Sequence, residues 1–499
     1  MIGSVLIANR GEIAVRIARG ARECGIRTIA VYSEADRLAP HVLEADEAYP
    51  IGPAPSAQSY LRGEALVELA RAVGAEAIHP GYGFLAERAD FARMVEEAGL
   101  VFVGPTADTI AAMGDKTEAR RRMADAGVPI VPGLTEAVDD PAEAERAAVE
   151  IGFPVLLKAS AGGGGKGMRV VTDPDDLTRA FEAASREALA AFGDGSVYLE
   201  RYLARPRHVE IQVLGDAHGN VVHLGERECS IQRRHQKLVE EAPSPVLSAE
   251  DRRLMGETAV RAAKAVDYRG AGTIEFLWED GDFFFLEMNT RIQVEHPVTE
   301  LVTGIDLVEW QFRVASGEPL SFGQDDVRLS GHAIECRITS EDHLGGFLPS
   351  TGRVEYLEIP SGPGVRWDGG IVQGSEVTLH YDPLLAKLVV HAPDRAAAIA
   401  RMTRALDELV IDGVETCAPF HRRVMAEPDF ASGAFSIRYL DEHPELLAAD
   451  EENGPELVAA AVAAALLEDE HRRRRAPRLG AAAARMPSAW QRPGRNGGP

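Results

Sequence analysis

Leu286-Glu287-Met288-Asn289-Thr290-Arg291-Ile292-Gln293-Val294-Glu295-His296 changes chemistry at every step. Glu287, Asn289, Arg291, Gln293 and Glu295 take the odd positions, and the even ones are mostly apolar. In an extended chain successive side chains point to opposite faces, so five functional groups would line one surface above a hydrophobic floor. A solvated edge strand has no need of Asn and Gln between ions of both signs, so the row reads as a site. Carboxylate and amide oxygens suit a hard cation such as Mg²⁺, which takes one or two carboxylates together with substrate phosphates.

Working outward, Thr273-Ile274-Glu275-Phe276-Leu277 is another strand, joined to the first through Glu279-Asp280-Gly281. A two-residue Asp-Gly turn would pair 279 with 282 and put Glu275 and Glu287 on opposite faces. A three-residue turn with a bulge at Gly281 would pair 278 with 282 and put both carboxylates on one face. Metal chemistry needs the second, and the bulged turn is the expectation. Two further polar rows lie upstream. His208, Glu210 and Gln212 alternate with Val209, Ile211 and Val213, and the stretch Glu226 to Lys237 packs charges too densely for a core. The two-residue alternation from 197 to 290 indicates antiparallel sheet.

Gly162-Gly163-Gly164-Gly165-Lys166-Gly167 is the next feature. Its main-chain N–H groups can close over an anion, but Gly167 stands where a Walker loop requires Ser or Thr. Alone, the run reads equally well as a flexible link. Lys158, on the apolar strand Val155-Leu156-Leu157-Lys158 just before it, needs a partner, and a phosphate is a natural one. Lysine is rare here: 6 of the 53 basic residues, namely Lys116, Lys158, Lys166, Lys237, Lys264 and Lys387. Four of the six fall in the segments singled out.

Residues 3–8, 11–24 and 28–32 read as strand, helix, strand, and the alternation continues to about 103, which indicates a parallel sheet. The first turn, Ala8-Asn9-Arg10-Gly11-Glu12-Ile13, has no GxGxxG, which argues against a dinucleotide site. A helix is expected at 115–126. Residues 330–445 form a third block of punctuated strands with one helix near 394–410. Residues 455–475 are Ala-rich and helical in character, followed by a basic, Pro/Gly-rich tail expected to be disordered.

The 499 residues suffice for about three domains. A formal charge of −25 argues against nucleic acid. No apolar run approaches membrane-spanning length. Four scattered cysteines without a CxxC pair fit neither zinc nor disulfides, and point to a reducing, cytoplasmic interior.

The segments MIGSVLIANRGEIAVR, HPGYGFLAE, KASAGGGGKGM, RHVEIQV, IQRRHQK, TIEF, EMNTRIQVEHPVTE and GHAIECRI, with Lys116, resemble the biotin carboxylase component of biotin-dependent carboxylases. The resemblance covers about residues 2–445. It implies an α/β and α+β architecture in which a preATP-grasp parallel α/β domain (1–113) precedes a two-lobed ATP-grasp domain (114–325, lid about 131–203). A β-rich C-terminal domain (330–446) and the 450–499 tail follow.

By the same resemblance, Lys116, Lys158, Glu200, Leu203, His208, Gln232 and His235 contact ATP, and Gly163, Gly164, Gly165, Lys166 and Gly167 form its lid. Glu275, Glu287 and Asn289 hold two Mg²⁺ or Mn²⁺ ions. Lys237, Arg291, Gln293, Val294 and Glu295 hold bicarbonate, with Glu295 as general base. Arg337 stabilises the biotin enolate, and Tyr82, Asp382 and His235 stand near biotin. No lysine follows Lys387, so biotin is expected on a separate biotin carboxyl carrier protein, with the carboxyltransferase also a separate chain and a homodimeric state. The resemblance implies the first half-reaction of an acyl-CoA carboxylase (such as the acetyl-CoA carboxylase of fatty acid biosynthesis) or of a pyruvate-type one.

Two other readings share these residues. Another ATP-grasp ligase, such as a carbamoyl-phosphate synthetase half or an aminoimidazole ribotide carboxylase, would share the lid and metal carboxylates but not IQRRHQK or the block with Arg337 and Asp382. An inactive nucleotide-binding paralogue would typically lack a base or a metal ligand, and Glu295, Glu275, Glu287 and Lys237 are all present.

Overall fold

Short apolar runs alternate with helices through the first hundred residues, and the result is a parallel five-stranded sheet. Its order is Glu47–Gly52, Arg27–Ser33, Ser4–Ile7, Ala77–His79, Val101–Phe102. The computed structural model describes residues 1–134, 138, 140–159, 168–192, 195–448 and 455–475. The chain works outward from Ser4–Ile7 to one side, then returns to its other side at Ala77–His79. The crevice at such a reversal is where open α/β sheets hold ligands. Here Asn9, just past the first strand, donates through Nδ2 to the carbonyls of Pro80 and Tyr82, each at 2.7 Å. Glu47–Gly52, with a proline and a glutamate among its six residues, carries no strand pattern that sequence reading detects.

The second sheet has eight antiparallel strands in the order Asp282–Asn289, Gly270–Glu279, Arg207–Gly215, Val221–Arg233, Gln236–Ala242, His332–Thr339, Leu384–Ala392, Val365–Gly369. It runs straight through the expected division near 325–330, because Gln236–Ala242 pairs with His332–Thr339. The block from 197 to 290 is also interrupted by a helix, Ala249–Lys264, whose start is fixed by a Ser248/Asp251 capping box. Its Met255, Ala259, Ala262 and Ala263 pack on Val209, Ile211, Val213, Ile274 and Phe276. Alternation then sends Glu210, Gln212, Arg227, Thr273 and Glu275 to the opposite face. That face is covered too, and none of the five is more than 4% exposed.

The hairpin departs from expectation. Asp280 and Gly281 form a two-residue turn, both at positive φ (52° and 94°), and Glu279 pairs with Asp282. The three-residue bulged turn is therefore wrong: Asp-Gly takes the turn its own chemistry favours. The extra residue lies inside the strand. Phe276 pairs with Phe285 and Glu275 with Glu287, so Leu286 is bulged out between them. Directly paired residues share a face, and the carboxylates meet after all. The strand also stops at Asn289; 290–295 are loop and turn leading into the helix His296–Thr303.

A small antiparallel sheet, Met168–Val171, Val155–Ala159, Val197–Arg201, packs with the helices Pro141–Ile151 and Leu177–Phe192 around its own core, including Leu157, Phe181 and Leu199. The last block holds four helices rather than one: Arg395–Glu408, Ala418–Ala426, Pro428–Ser432 and Tyr439–Glu442. Three are too short for a periodic pattern to mark them. Residues 1–447 form one compact unit and 448–499 a second. Within the second, Pro455–Arg475 is the expected helix, its described side chains exposed from 459 to 470. No helix among the described residues is long and apolar enough to cross a membrane.

Candidate functional site

A covered sheet face offers no water, so each charge on it must find a partner. Arg227, fully buried, spends all five guanidinium N–H groups on protein oxygens. Nε donates to Glu210 at 2.5 Å, Nη1 to Gln212 at 2.7 Å and Thr299 at 2.9 Å, and Nη2 to Gln293 at 2.5 Å and Thr273 at 3.1 Å. Lys237 spends its three N–H groups on three carboxylates, Glu210 at 2.5 Å, Glu275 at 2.8 Å and Glu295 at 2.6 Å. Burial opposes the ammonium, yet the three anions hold its pKa well above the usual lysine value.

Glu295 lies between two cations. Its second oxygen accepts from Arg337 Nη2 at 3.0 Å, while Arg337 Nε donates to Glu240 at 2.6 Å. Burial works against its charge, but Lys237, Arg337 and Arg227 together hold the carboxyl well below the ordinary range. Gln293 donates to Glu275 at 2.9 Å, and Val294 contributes its carbonyl to Lys387 at 2.9 Å. Arg291 donates to Glu87 and Asn289, both at 2.9 Å, so its guanidinium is fixed at the edge of the cluster.

Glu275 and Glu287 face the same side as a cross-strand pair. Lys237, Asn289 and Gln293 all donate to Oε1 of Glu275, and His208 Nε2 lies 3.0 Å from Oε2. Despite burial, Lys237 and His208 hold it well below the usual value, and Glu275 in turn raises His208 against the cost of its burial. Glu287 is the open member of the pair. Desolvation, and then the charge of Glu275, push it up, while Lys116 pulls it down. Like charges held in register on a sheet face are what a dication relieves, so the pair fits a metal. Lys116 begins the helix Lys116–Asp125, close enough to act on Glu287.

On the small sheet Lys158 pairs with Glu200, and Arg120 donates to the same carboxylate at 3.1 Å. Leu203 is buried just beyond. Gln232 Nε2 sits 3.0 Å from His208 Nδ1 and so joins the cluster. His235 does not: with Arg234 it forms an exposed turn at positive φ. Gly163, Gly164, Gly165, Lys166 and Gly167 lie outside the described residues. The Tyr82 hydroxyl donates to Glu12, and its ionisation is opposed first by burial, then by Glu12; Arg337 and Asp382 also act on it. Asp382 is exposed and caps the Leu384 N–H at 2.9 Å.

Sequence reading did not single out Arg227, Glu240, Glu12 and Lys387 as candidates, and the fold bonds them to Gln293, Arg337, Tyr82 and Val294 in that order. Arg227 stood in plain view inside a charged stretch, and its central place emerges only when three strands are registered. Lys387, one lysine in an apolar strand, carried the same signal that singled out Lys158.

The family model for the biotin carboxylase N-terminal domain matches residues 1–110. That for the carbamoyl-phosphate synthase L chain ATP binding domain matches 115–322, and that for the biotin carboxylase C-terminal domain 335–442. The biotin carboxylase of Haemophilus influenzae is 54% identical over 443 residues, 89% of this chain and 99% of that one. A pyruvate carboxylase subunit from Methanothermobacter thermautotrophicus is 54% identical over 444 residues, 89% of this chain and 90% of that one. Among solved structures, the biotin carboxylase domain dimer of Hydrogenobacter thermophilus 2-oxoglutarate carboxylase, in complex with MgADP, ADP and bicarbonate, gives a TM-score of 0.83. It is 52% identical and covers 90% of this chain and 100% of that one.

Proposed function

The chain belongs to the biotin carboxylase family and is a ligase that carboxylates biotin at the expense of ATP, and from that premise we propose how its charged sheet face carries the reaction. The observation that carries this reading is the position of Glu295, held between Lys237 and Arg337 on a face closed to water. Bicarbonate binds among Lys237, Arg291, Gln293 and Val294. Its negative charge competes for the two cations, and both effects raise the basicity of Glu295 from its depressed resting value.

Glu295 takes the bicarbonate proton as a bicarbonate oxygen attacks the γ-phosphorus, and ADP leaves. The carboxyphosphate formed breaks into CO₂ and phosphate, the phosphate takes the biotin N1 proton, and N1 attacks CO₂. Arg337 faces the oxyanion of the ureido group, where a fixed cation is worth most. Glu275 and Glu287, with Asn289 behind them, would hold Mg²⁺ or Mn²⁺, which neutralises phosphate charge during phosphoryl transfer. Lys116, Lys158, Glu200, Leu203, His208, Gln232 and the 163–167 loop grip the nucleotide. Tyr82 and Asp382 form the biotin side, and His235 reaches either ligand only from its exposed turn.

Biotin arrives on a separate carrier protein, and a separate carboxyltransferase passes the carboxyl group to an acyl-CoA or a keto acid. The working unit is a homodimer. The 1–113, 114–325 and 330–446 divisions are functional blocks, although one sheet spans the last two. Four free thiols fit a cytoplasmic setting.

The test is ADP release by the full chain with ATP, Mg²⁺, bicarbonate and free biotin. Release requires both bicarbonate and biotin, and Glu295→Gln lowers kcat by about 10³-fold, the scale of losing a positioned base. A Glu295→Gln enzyme that turns over at the parental rate refutes the assignment.

A further inference from the structure

Lys387 interrupts the otherwise apolar strand Leu384–Ala392 and is 0% exposed. An ammonium in such a place must be matched by oxygens or give up its proton. It donates to the Val294 carbonyl at 2.9 Å and lies 3.1 Å from Glu12 Oε2 and 3.8 Å from Asp368 Oδ2. The three oxygens come from three parts of the fold. Val294 is in the loop that delivers Glu295, Glu12 opens the helix Gly11–Glu23 beside the parallel sheet, and Asp368 lies on the neighbouring strand. Asp368 is already held by both arms of Arg366, at 2.9 and 2.8 Å. Among the described residues Glu12 and Val294 have no such second cation, so Lys387 decides where they sit.

Each of those two leads to one substrate. The Val294 carbonyl belongs to the peptide from which Glu295 departs, and a planar peptide fixed at its oxygen fixes the next Cα. The other oxygen of Glu12 accepts the Tyr82 hydroxyl. The remaining charged neighbours do not substitute for Lys387. Glu335 shares its field but makes no hydrogen bond among the described residues, and burial, then the Lys387, Arg16 and Arg366 charges, keep His296 neutral.

We propose that Lys387 is a positioning residue for both halves of the reaction: its ammonium clamps the peptide before Glu295 and, through Glu12, the Tyr82 hydroxyl, so that the bicarbonate and biotin sides keep one register. The proposal rests on the reading of Glu295 as base and of Tyr82 as part of the biotin side. A residue that merely neutralised Glu12 would affect folding without distinguishing among substrates.

The experiment measures kcat and the three KM values on the full chain with ATP, Mg²⁺, bicarbonate and free biotin. Lys387→Met keeps the stem and removes the charge; its KM rises about tenfold for bicarbonate and about fivefold for biotin, with the ATP value within about twofold of the parent. Glu12→Gln cuts only one arm, so the biotin KM rises and the bicarbonate KM stays within about twofold. Should Lys387→Met fail to fold, the double variant Glu12→Gln/Lys387→Met removes one charge of each sign and is read for the same rise in bicarbonate KM. A folded Lys387→Met or double variant with parental bicarbonate KM overturns the proposal, as does an equal rise for all three substrates. Failure of the underlying reading has a separate mark, since Glu295→Gln would then turn over normally whatever Lys387 does.

Discussion

The eight-stranded sheet and the three-stranded sheet each set a lysine against glutamate, and they treat the pair differently. Lys237, with its side chain 12% exposed, touches three carboxylates on a face closed by protein. Lys158, 33% exposed, touches one, and shares it with Arg120. The large sheet fixes its charges before any ligand arrives, which is what electrostatic catalysis requires. The small sheet leaves its cations near solvent, where one weak pair is readily exchanged for a phosphate. The chemistry proposed above thus falls to the rigid face and the proposed grip to the yielding one.

Removing the centre of the rigid face tests that division most severely. Arg227→Met takes one of the two cations bonded to Glu210, leaving Lys237, and removes the donor to Gln293 Oε1; breaking a buried pair costs about 3–5 kcal/mol. Urea denaturation should show that loss, and the soluble fraction should lack bicarbonate-dependent ADP release. A variant of parental stability would mean that the face is better solvated than its burial indicates. Next comes Glu287→Gln, at the open end of the same sheet. It removes a ligand charge without disturbing the Lys237 cluster, so stability holds while the Mg²⁺ concentration for half-maximal rate rises about 100-fold. An unchanged Mg²⁺ dependence would take Glu287 out of the metal site.

How far this division can be read from sequence depends on where the pattern is local. His208, Glu210 and Gln212 alternate with Val209, Ile211 and Val213, and the alternation by itself separates a polar face from a core face. Lys237, Glu275 and Glu295 are legible by type and company. Arg227 is not, because its five acceptors come from four separate segments and only the folded sheet joins them. A bulge that brings Glu275 and Glu287 together follows from chemical need, but its place does not: Asp280-Gly281 argues locally against a bulge in the turn, yet nothing local points to Leu286. The continuity of the large sheet past residue 330 is hidden for the same reason, since strand pairing between 239 and 336 leaves no trace in either segment alone.

The yielding sheet gives a smaller effect. Lys158→Gln loses a pair whose lysine is a third exposed and whose glutamate keeps Arg120, worth less than about 1 kcal/mol, so thermal stability barely moves. If that ammonium meets a phosphate, the ATP KM rises about tenfold or more with the bicarbonate KM unchanged, because a charge-assisted bond is lost on one substrate only. A large drop in stability would erase the contrast between the two sheets.

The finest test concerns Glu240, which supports Arg337 from behind. It is fully buried, and burial, with Glu295 adding to it and Arg337 opposing, pushes its pKa up to about 7. Between the ordinary carboxyl value and about 7, the folded protein keeps a proton that the unfolded chain has released. Stability therefore falls as pH rises through this window. Asp368 works in the opposite sense far below it: Arg366 and Lys387 overcome burial and hold it to about 2, so its contribution is lost only as pH falls toward that value. Glu240→Gln keeps an acceptor for Arg337 Nε and cannot titrate. Its plot of unfolding free energy against pH should be flatter between pH 5 and 7, by up to about 1.4 kcal/mol per pH unit, with little change in rate below pH 7, where Glu240 is itself uncharged. A slope equal to the parent's would mean that Glu240 keeps one protonation state across this window, and that Arg337 outweighs burial in setting its charge or fails to set it at all.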